Sequence, residues 1–390
     1  MADTQLPPRI GIDRPGSFSR SVFHERHPVL IANLIADNTY PSHIRDRLEA
    51  LLAETLEGTV PPEVPPGPNR PFWEAEIARC VGTPWNDLPF LWAESYFYRR
   101  ILDAVDHFAP ARVFYGADPF APQKQAQLDG AELRTDLEAY AALTERDSTS
   151  QDRAERRQAL LRAALWGNQA DLGFRTTTAI AGQSDIVVDD SPAIWDLIDG
   201  PGSGPVIVVA DNAGRELTAD LALIDAILET APVELHLKPH PYFVSDATGR
   251  DLLATLDALA ADPNKPVQAL AQRLRDAIRG DRLRLRAHGF YVLPTTYRHL
   301  PPDLAADFRA ARLVILKGDL NYRRLVGDRE WDAATPFGEV VDYFPGDVAA
   351  LRTAKSDLAV GIDPVRLTEL DNASPEWRVS GTHAMMQVLH

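Results

Sequence analysis

The sequence predicts an α/β protein, with a mostly parallel sheet flanked by helices. It places a Rossmann-like lobe over residues 201–390 and a mainly α-helical lobe over residues 1–200. Three observations predict this. The first half carries long stretches at helical spacing, the turn-rich segment DGPGSGP near residue 200 marks a change of texture, and short β-rich runs then alternate with helical stretches. Such alternation is what a parallel sheet covered on both faces produces, because each parallel connection must cross back over the sheet.

In the first half, residues 43–57 space Ile44, Leu48, Leu51 and Leu52 at helical intervals. The proline-rich segment VPPEVPPGPNRP (60–71) reads as a stiff, extended connection. Residues 90–108, FLWAESYFYRRILDAVDHF, are apolar or aromatic around most of a helix and belong in the core. Trp92, Tyr96 and Tyr98 read as packing, while Glu94 and Arg99 are free to pair with each other or to face a pocket. Residues 131–146 and 151–166 read as two more helices joined by RDSTSQD, the second stopped by Gly167 and Asn168.

In the second half, PVIVVAD (205–211) is a continuous apolar run suited to a strand buried on both faces. A helical stretch, GRELTADLALIDAILE (214–229), follows it. Further strands are expected at VELHLK (233–238), RLRLRAHG (282–289), RLVILKGD (312–319) and DLAVGI (357–362).

The bulk numbers narrow the function classes. The 390 residues are 45% hydrophobic and 25% charged, in the ordinary globular range. Forty basic against fifty-six acidic residues give a net charge of −16, which opposes attraction to nucleic acid or anionic lipid. An anionic substrate therefore needs a locally cationic pocket. The single cysteine, Cys80, excludes a disulfide within the chain and a thiolate cluster, and reads as a small core residue. No apolar run approaches the roughly 18 residues of a spanning helix, and MADTQLPPRIGIDRPGSF lacks the pattern of a leader. The expectation is a cytoplasmic enzyme with no nucleic-acid or membrane partner.

In open α/β sheets, ligands bind outside the carboxyl ends of the strands. The first strand ends in Asp211-Asn212-Ala213-Gly214, where two oxygen-bearing side chains suit a hard divalent cation, or simply cap the following helix. The second leads through Lys238-Pro239-His240-Pro241-Tyr242-Phe243-Val244-Ser245 to Asp246, either a further carboxylate ligand or, with Ser245, a cap for the helix near Gly249. A zinc reading of His236 and His240 is disfavoured, because their spacing shares a face only on a helix. The third end, Lys317-Gly318-Asp319-Leu320-Asn321-Tyr322-Arg323-Arg324, gathers cations, a glycine and an amide into a plausible phosphate cradle. In the fourth, Arg352-Thr353-Ala354-Lys355, Lys355 either returns a positive charge to the site or sits in an exposed basic last turn of a helix.

Taken in order, DNAGRELTADL, KPHPYFVSDAT, KGDLNYRRLVGD and LRTAKSD resemble the damage-control phosphatases, a metal-dependent family formerly known as a domain of unknown function. The branch is the one marked by an Arg-Thr-x-Lys motif, which includes acidic-residue methyltransferase 1-like proteins. LWAESYFYRRI and LWGNQADL resemble the same branch, so the similarity runs from about residue 70 to residue 380. The resemblance implies that Asp211, Asn212 and Asp246 bind a divalent metal (manganese, cobalt or nickel, with magnesium as a further candidate) and touch substrate. It implies that Asp319, Leu320, Asn321, Tyr322 and Arg323 line a sugar-phosphate pocket and that Lys355 holds the phosphate. The implied activity is hydrolysis of small phosphorylated metabolites such as fructose 1-phosphate, with Asp211, Asn212, Asp246 and Lys355 as catalytic residues. Ala213, Arg215 and Tyr242 depart from the branch's usual residues beside these positions, which bears on substrate preference.

Three rivals accompany that reading. An S-adenosylmethionine-dependent protein-glutamate O-methyltransferase is the first, although the turn ADNAGRE offers a nucleotide only one glycine. A haloacid-dehalogenase-type phosphatase expects an aspartate where Ala213 stands. A non-catalytic metabolite-binding protein is the third.

Overall fold

The computed structural model describes residues 6–145, 149–167 and 185–390. Its strands are β1 (Asp185–Asp189), β2 (Val206–Val209), β3 (Val233–Leu237), β4 (Leu283–Ala287), β5 (Leu313–Lys317), β6 (Val348–Thr353) and β7 (His383–Leu389). They form one sheet in the order β1-β7-β6-β5-β2-β3-β4. Strands β2 to β6 pair in parallel, while β7 runs antiparallel to β6 and carries β1 on its other edge. The predicted α/β class is therefore the observed one.

Strand β2 shows why the sheet forms. All four of its residues are β-branched and fully buried, the composition of a strand covered on both faces. Val206 and Val208 point to one core, and Ile207 and Val209 to the other. The first core includes the Arg215–Ile227 helix, every residue of which is buried. A helix buried all round must be enclosed, and here the helices Ala131–Glu145 and Ser150–Trp166 contribute to the same cluster.

The helices of residues 131–166 and strand β1 belong to the sheet's own layers, because the central helix needs a second cover. A third cluster, rich in aromatics, is confined to residues 12–120. Within it Trp85 stacks on Tyr96 at 5.4 Å, and Trp73 and Trp92 pack on the same ring. Asn168 lies outside the described residues.

The strand expected at DLAVGI (357–362) does not form. The strand in that region is β6, which ends at Thr353 before the expected one begins, and Arg352 explains the difference. Its guanidinium binds the carbonyls of Ser356 (3.1 Å) and Leu358, which folds the chain back on itself beyond Thr353. Strands β1 and β7 have no counterpart among the expected ones.

Candidate functional site

The sheet order changes direction between β2 and β5: the chain runs from β2 to β3 on one side, and β5 and β6 lie on the other. Such a switch point leaves a crevice at the carboxyl ends of the strands. A cavity of about 380 Å³ occupies it, within the usual range for small-ligand sites. Of the residues expected from the sequence, Asp211, Asn212, Asp246, Asp319, Leu320, Arg323 and Lys355 line this cavity.

Backbone pairing sets the first three. The loop after β2 and the loop after β3 are zipped together, with the Ala213 N–H donating to the Ser245 carbonyl (2.6 Å) and the Ala247 N–H to the Asp211 carbonyl (2.8 Å). Asn212 and Asp246 thereby face each other as an antiparallel bridge pair. Neither loop's acidic residue caps a helix. Gly214 stands at the head of the Arg215–Ile227 helix, and a Thr248–Asp251 capping box opens the Gly249–Ala261 helix.

Both carboxylates turn toward Lys238. Its Nζ lies 3.9 Å from Asp211 Oδ1 and 3.6 Å from Asp246 Oδ1, with all three side chains buried. Asp246 also accepts the Phe243 N–H at 2.9 Å. The Asn212 amide nitrogen donates to Asp211 Oδ2 (3.0 Å) and Glu216 Oε2 (2.8 Å), and its oxygen accepts the Ser245 hydroxyl. Burial pushes the Asp211 carboxyl well above the usual carboxylate range; Glu216 and Asp246 add to this, while Lys238 and Lys355 oppose it.

Of the segment expected as a phosphate cradle after β5, Gly318, Asp319, Leu320 and Arg323 line the cavity and the others do not. Lys317 is buried beneath the site, paired with Asp220 at 2.8 Å and Glu216 at 3.3 Å. Asn321 and Tyr322 do not line the cavity. The Asn321 amide donates to the Lys317 carbonyl (2.8 Å) and its oxygen accepts from Tyr297 (2.9 Å). The Tyr322 hydroxyl donates to Gln387 at 3.1 Å, while its ring lies 4.4 Å beneath the Arg352 guanidinium. Helix periodicity is the reason: on the Gly318–Val326 helix, positions 319, 320 and 323 share one face, and 321 and 322 turn to the core. Arg323 lines the cavity already held by two carboxylates, Glu94 and Asp328, each at 2.8 Å.

The Arg-Thr-x-Lys segment divides its work. Arg352 is buried, binds Asp319 at 2.7 Å, and pins Ser356 and Leu358. Lys355 sits within the turn so formed and faces the cavity, and among the described residues it has no ion-paired or hydrogen-bonded partner. An unpartnered ammonium on the lining of a buried site is a ready anion receptor.

Other residues surround the site besides those expected as ligands. Glu94 faces the cavity, its carboxyl raised by burial against the pull of Arg323. Arg99 turns away, over the Phe108 ring at 4.1 Å. Tyr98, expected as packing, also lines the cavity. Glu216 lies in the first turn of its helix, a position where acidic residues are common for helix-dipole reasons alone. Lys238 opens the KPHPYFVSDAT motif, but only the pairing of two loops reveals its partners. His236 is bound by Tyr291 and Glu234, and His240 by the Pro241 carbonyl.

The donors expected from the sequence are all oxygens. Among the described residues no three His, Cys, Asp or Glu side chains form a group that could hold a metal ion; the oxygens the cavity offers from the expected metal-binding residues are the Asp211 and Asp246 carboxylates and the Asn212 amide oxygen. Oxygen-only donors with surplus negative charge are the chemistry hard divalent cations take. Gly214 has φ +66°, and the Gln127 side chain fills the space where its Cβ would be, so the first turn is closed to a large group.

A family model for the damage-control phosphatase ARMT1-like domain matches residues 22–370. The chain belongs to this family. Similar relatives are Damage-control phosphatase ARMT1 of Xenopus tropicalis, 31% identical over 335 residues, and of Homo sapiens, 30% identical over 333 residues. Each alignment covers 78% of this chain and 75% of the relative. A solved structure, a DUF89 family protein from Pyrococcus horikoshii, matches with a TM-score of 0.48 at 16% identity, over 93% of this chain and 97% of that chain. Among the described residues, no helix is long and apolar enough to cross a membrane.

Proposed function

We propose that this protein is a divalent-metal-dependent phosphatase of small phosphorylated metabolites, with sugar phosphates such as fructose 1-phosphate as the substrate class. One observation carries the reading: Asp211 and Asp246 converge across two zipped loops in the same cavity that the unpartnered Lys355 faces. Membership in the damage-control phosphatase family supports it.

A phosphate monoester is among the slowest of biological bonds to hydrolyse, so the task is alignment and charge stabilisation. A manganese, cobalt, nickel or magnesium ion held by Asp211, Asn212 and Asp246 would supply Lewis-acid polarisation of the phosphoryl oxygens. Lys355 binds the phosphoryl group and offsets its growing charge. Asp211 and Glu216 accept from the amide nitrogen of Asn212, so its oxygen is turned toward the Ser245 hydroxyl. Lys238 keeps the two buried carboxylates together, a placement that like charges alone would oppose. Arg352 positions Lys355 through the turn it closes.

The test is inorganic phosphate release from a panel of sugar phosphates, with each of the four metals and after chelation. The reading expects turnover that chelation removes and that Asp211→Ala abolishes in a folded protein. Metal-independent turnover, or full activity in Asp211→Ala, refutes it.

A further inference from the structure

One wall of the cavity is built by the N-terminal helical segment, from which Phe18, Val22, Arg26, His27 and Leu30 line it. The segment passes through a π turn, Val22–Arg26, in which the His27 N–H reaches back to the Val22 carbonyl. Such a turn inserts one residue into a helix and is common beside functional sites. Here it brings two consecutive polar side chains, Arg26 and His27, onto the cavity side.

Neither has a use in phosphoryl transfer as described above. Among the described residues, three cationic side chains lie on the cavity lining: Arg26, Arg323 and Lys355. Arg323 is held by Glu94 and Asp328. Among the same residues, neither Arg26 nor Lys355 has a carboxylate within ion-pair distance, and the Arg26 guanidinium lies over the Phe18 ring, at 4.8 Å. Two cations on one lining without an ion-paired carboxylate can each receive one of two anionic groups on a single ligand.

His27 adds a second, independent observation. It is 1% exposed, its ring stacks on Phe97 at 3.8 Å and 11°, and among the described residues neither ring nitrogen has a hydrogen-bond partner. An unpaired buried polar group destabilises a fold and calls for a partner. Burial lowers its pKa to about 3, so the ring is neutral, with one N–H and one lone pair. A hydroxyl, both donor and acceptor, can partner either one of these two nitrogens.

We infer that this wall recognises the end of the substrate remote from the scissile phosphate, with Arg26 binding a second anionic group and His27 a neighbouring hydroxyl. The ligand class is a phosphorylated polyol that carries a second anion, either phosphate or carboxylate. The inference rests on the phosphatase reading of the same cavity, whose volume of about 380 Å³ accommodates a ligand of hexose size.

Calorimetric binding and phosphate release, measured side by side, test it with three probes: fructose 1-phosphate, fructose 1,6-bisphosphate and 6-phosphogluconate. Arg26 is exposed, so the second anion should tighten wild-type binding by roughly threefold to fivefold, the upper scale of an exposed ion pair. Arg26→Ala should erase that gain, through KM rather than kcat, with a smaller change on fructose 1-phosphate, which offers Arg26 no second anion. His27→Phe keeps the stack on Phe97 and should weaken all three probes alike without loss of thermal stability. Whichever of the two doubly anionic probes shows the Arg26-dependent gain identifies the second group. Equal wild-type affinity for all three probes, or equal losses on all three in Arg26→Ala, overturns the inference. Absence of phosphate release with the Arg26-dependent binding gain intact overturns the phosphatase reading instead.

Discussion

Gly318 stands so close to Asp211 that a Cβ on it would overlap the carboxylate. Its φ of +83° is in the region that glycine alone enters freely. The turn from β5 into its helix thus passes directly against Asp211, two residues beyond β2, and the two halves of the site meet at that contact. Gly318→Ala should lose activity and manganese binding together. The left-handed backbone alone should cost about 1–2 kcal/mol of stability. Denaturant unfolding beside a metal titration checks both; a variant that binds manganese normally would show that the contact does not shape the site.

Lys355→Ala removes a side chain that has no partner to orphan among the described residues. Thermal stability should stay near wild type, while kcat/KM falls by about 10²–10³, the usual effect of removing one preorganised donor to a charged transition state. Initial rates on fructose 1-phosphate, with a melting curve, measure the two together.

Arg352→Lys tests a different role. A lysine ammonium cannot reach Asp319, Ser356 and Leu358 as the guanidinium does. Breaking such a buried pair should cost about 3–5 kcal/mol, and KM should rise as Lys355 loses its frame. Urea unfolding that matches wild type would contradict the assignment.

The metal-free protein should show a pH signature of Asp211. Burial raises its carboxyl from 3.8 to about 8, with Glu216 and Asp246 adding to the shift. Because the folded value lies above the unfolded one, the contribution to stability is fully present below the unfolded value. It is lost as pH rises from 3.8 toward 8. Asp211→Asn, which cannot ionise, should therefore be more stable than the metal-free wild type at pH 8, with a smaller difference at pH 5. Metal affinity should rise over the same interval, since binding displaces the proton. Melting curves of both proteins in chelator across this range provide the check.

The strand ends are legible in the sequence where an apolar run leads straight into chemistry, as Val206–Val209 leads into Asp211 and Asn212. The Arg-Thr-x-Lys segment is less so. It reads as the approach to a strand, whereas Arg352 and Thr353 close one. The run Val348–Leu351 is short, and the stretch 357–362 looks as β-rich but is folded back by Arg352. Asn321 and Tyr322 separate from Asp319, Leu320 and Arg323 only once a helix face is fixed. Lys238 and Glu216 are hidden for another reason: their partners lie on other loops, and only the backbone pairing of Ala213 with Ser245 brings them into register. Arg26 and His27 depend on a π turn, which leaves no mark in composition or periodicity.

The claim beneath the rest is that Asp211 and Asp246 hold one divalent ion between them. Paramagnetic resonance titration of manganese into the metal-free protein addresses it without relying on turnover. The account predicts one bound ion per chain in wild type, and loss of that ion in Asp211→Asn and in Asp246→Asn alike. Full binding retained in either variant would contradict it.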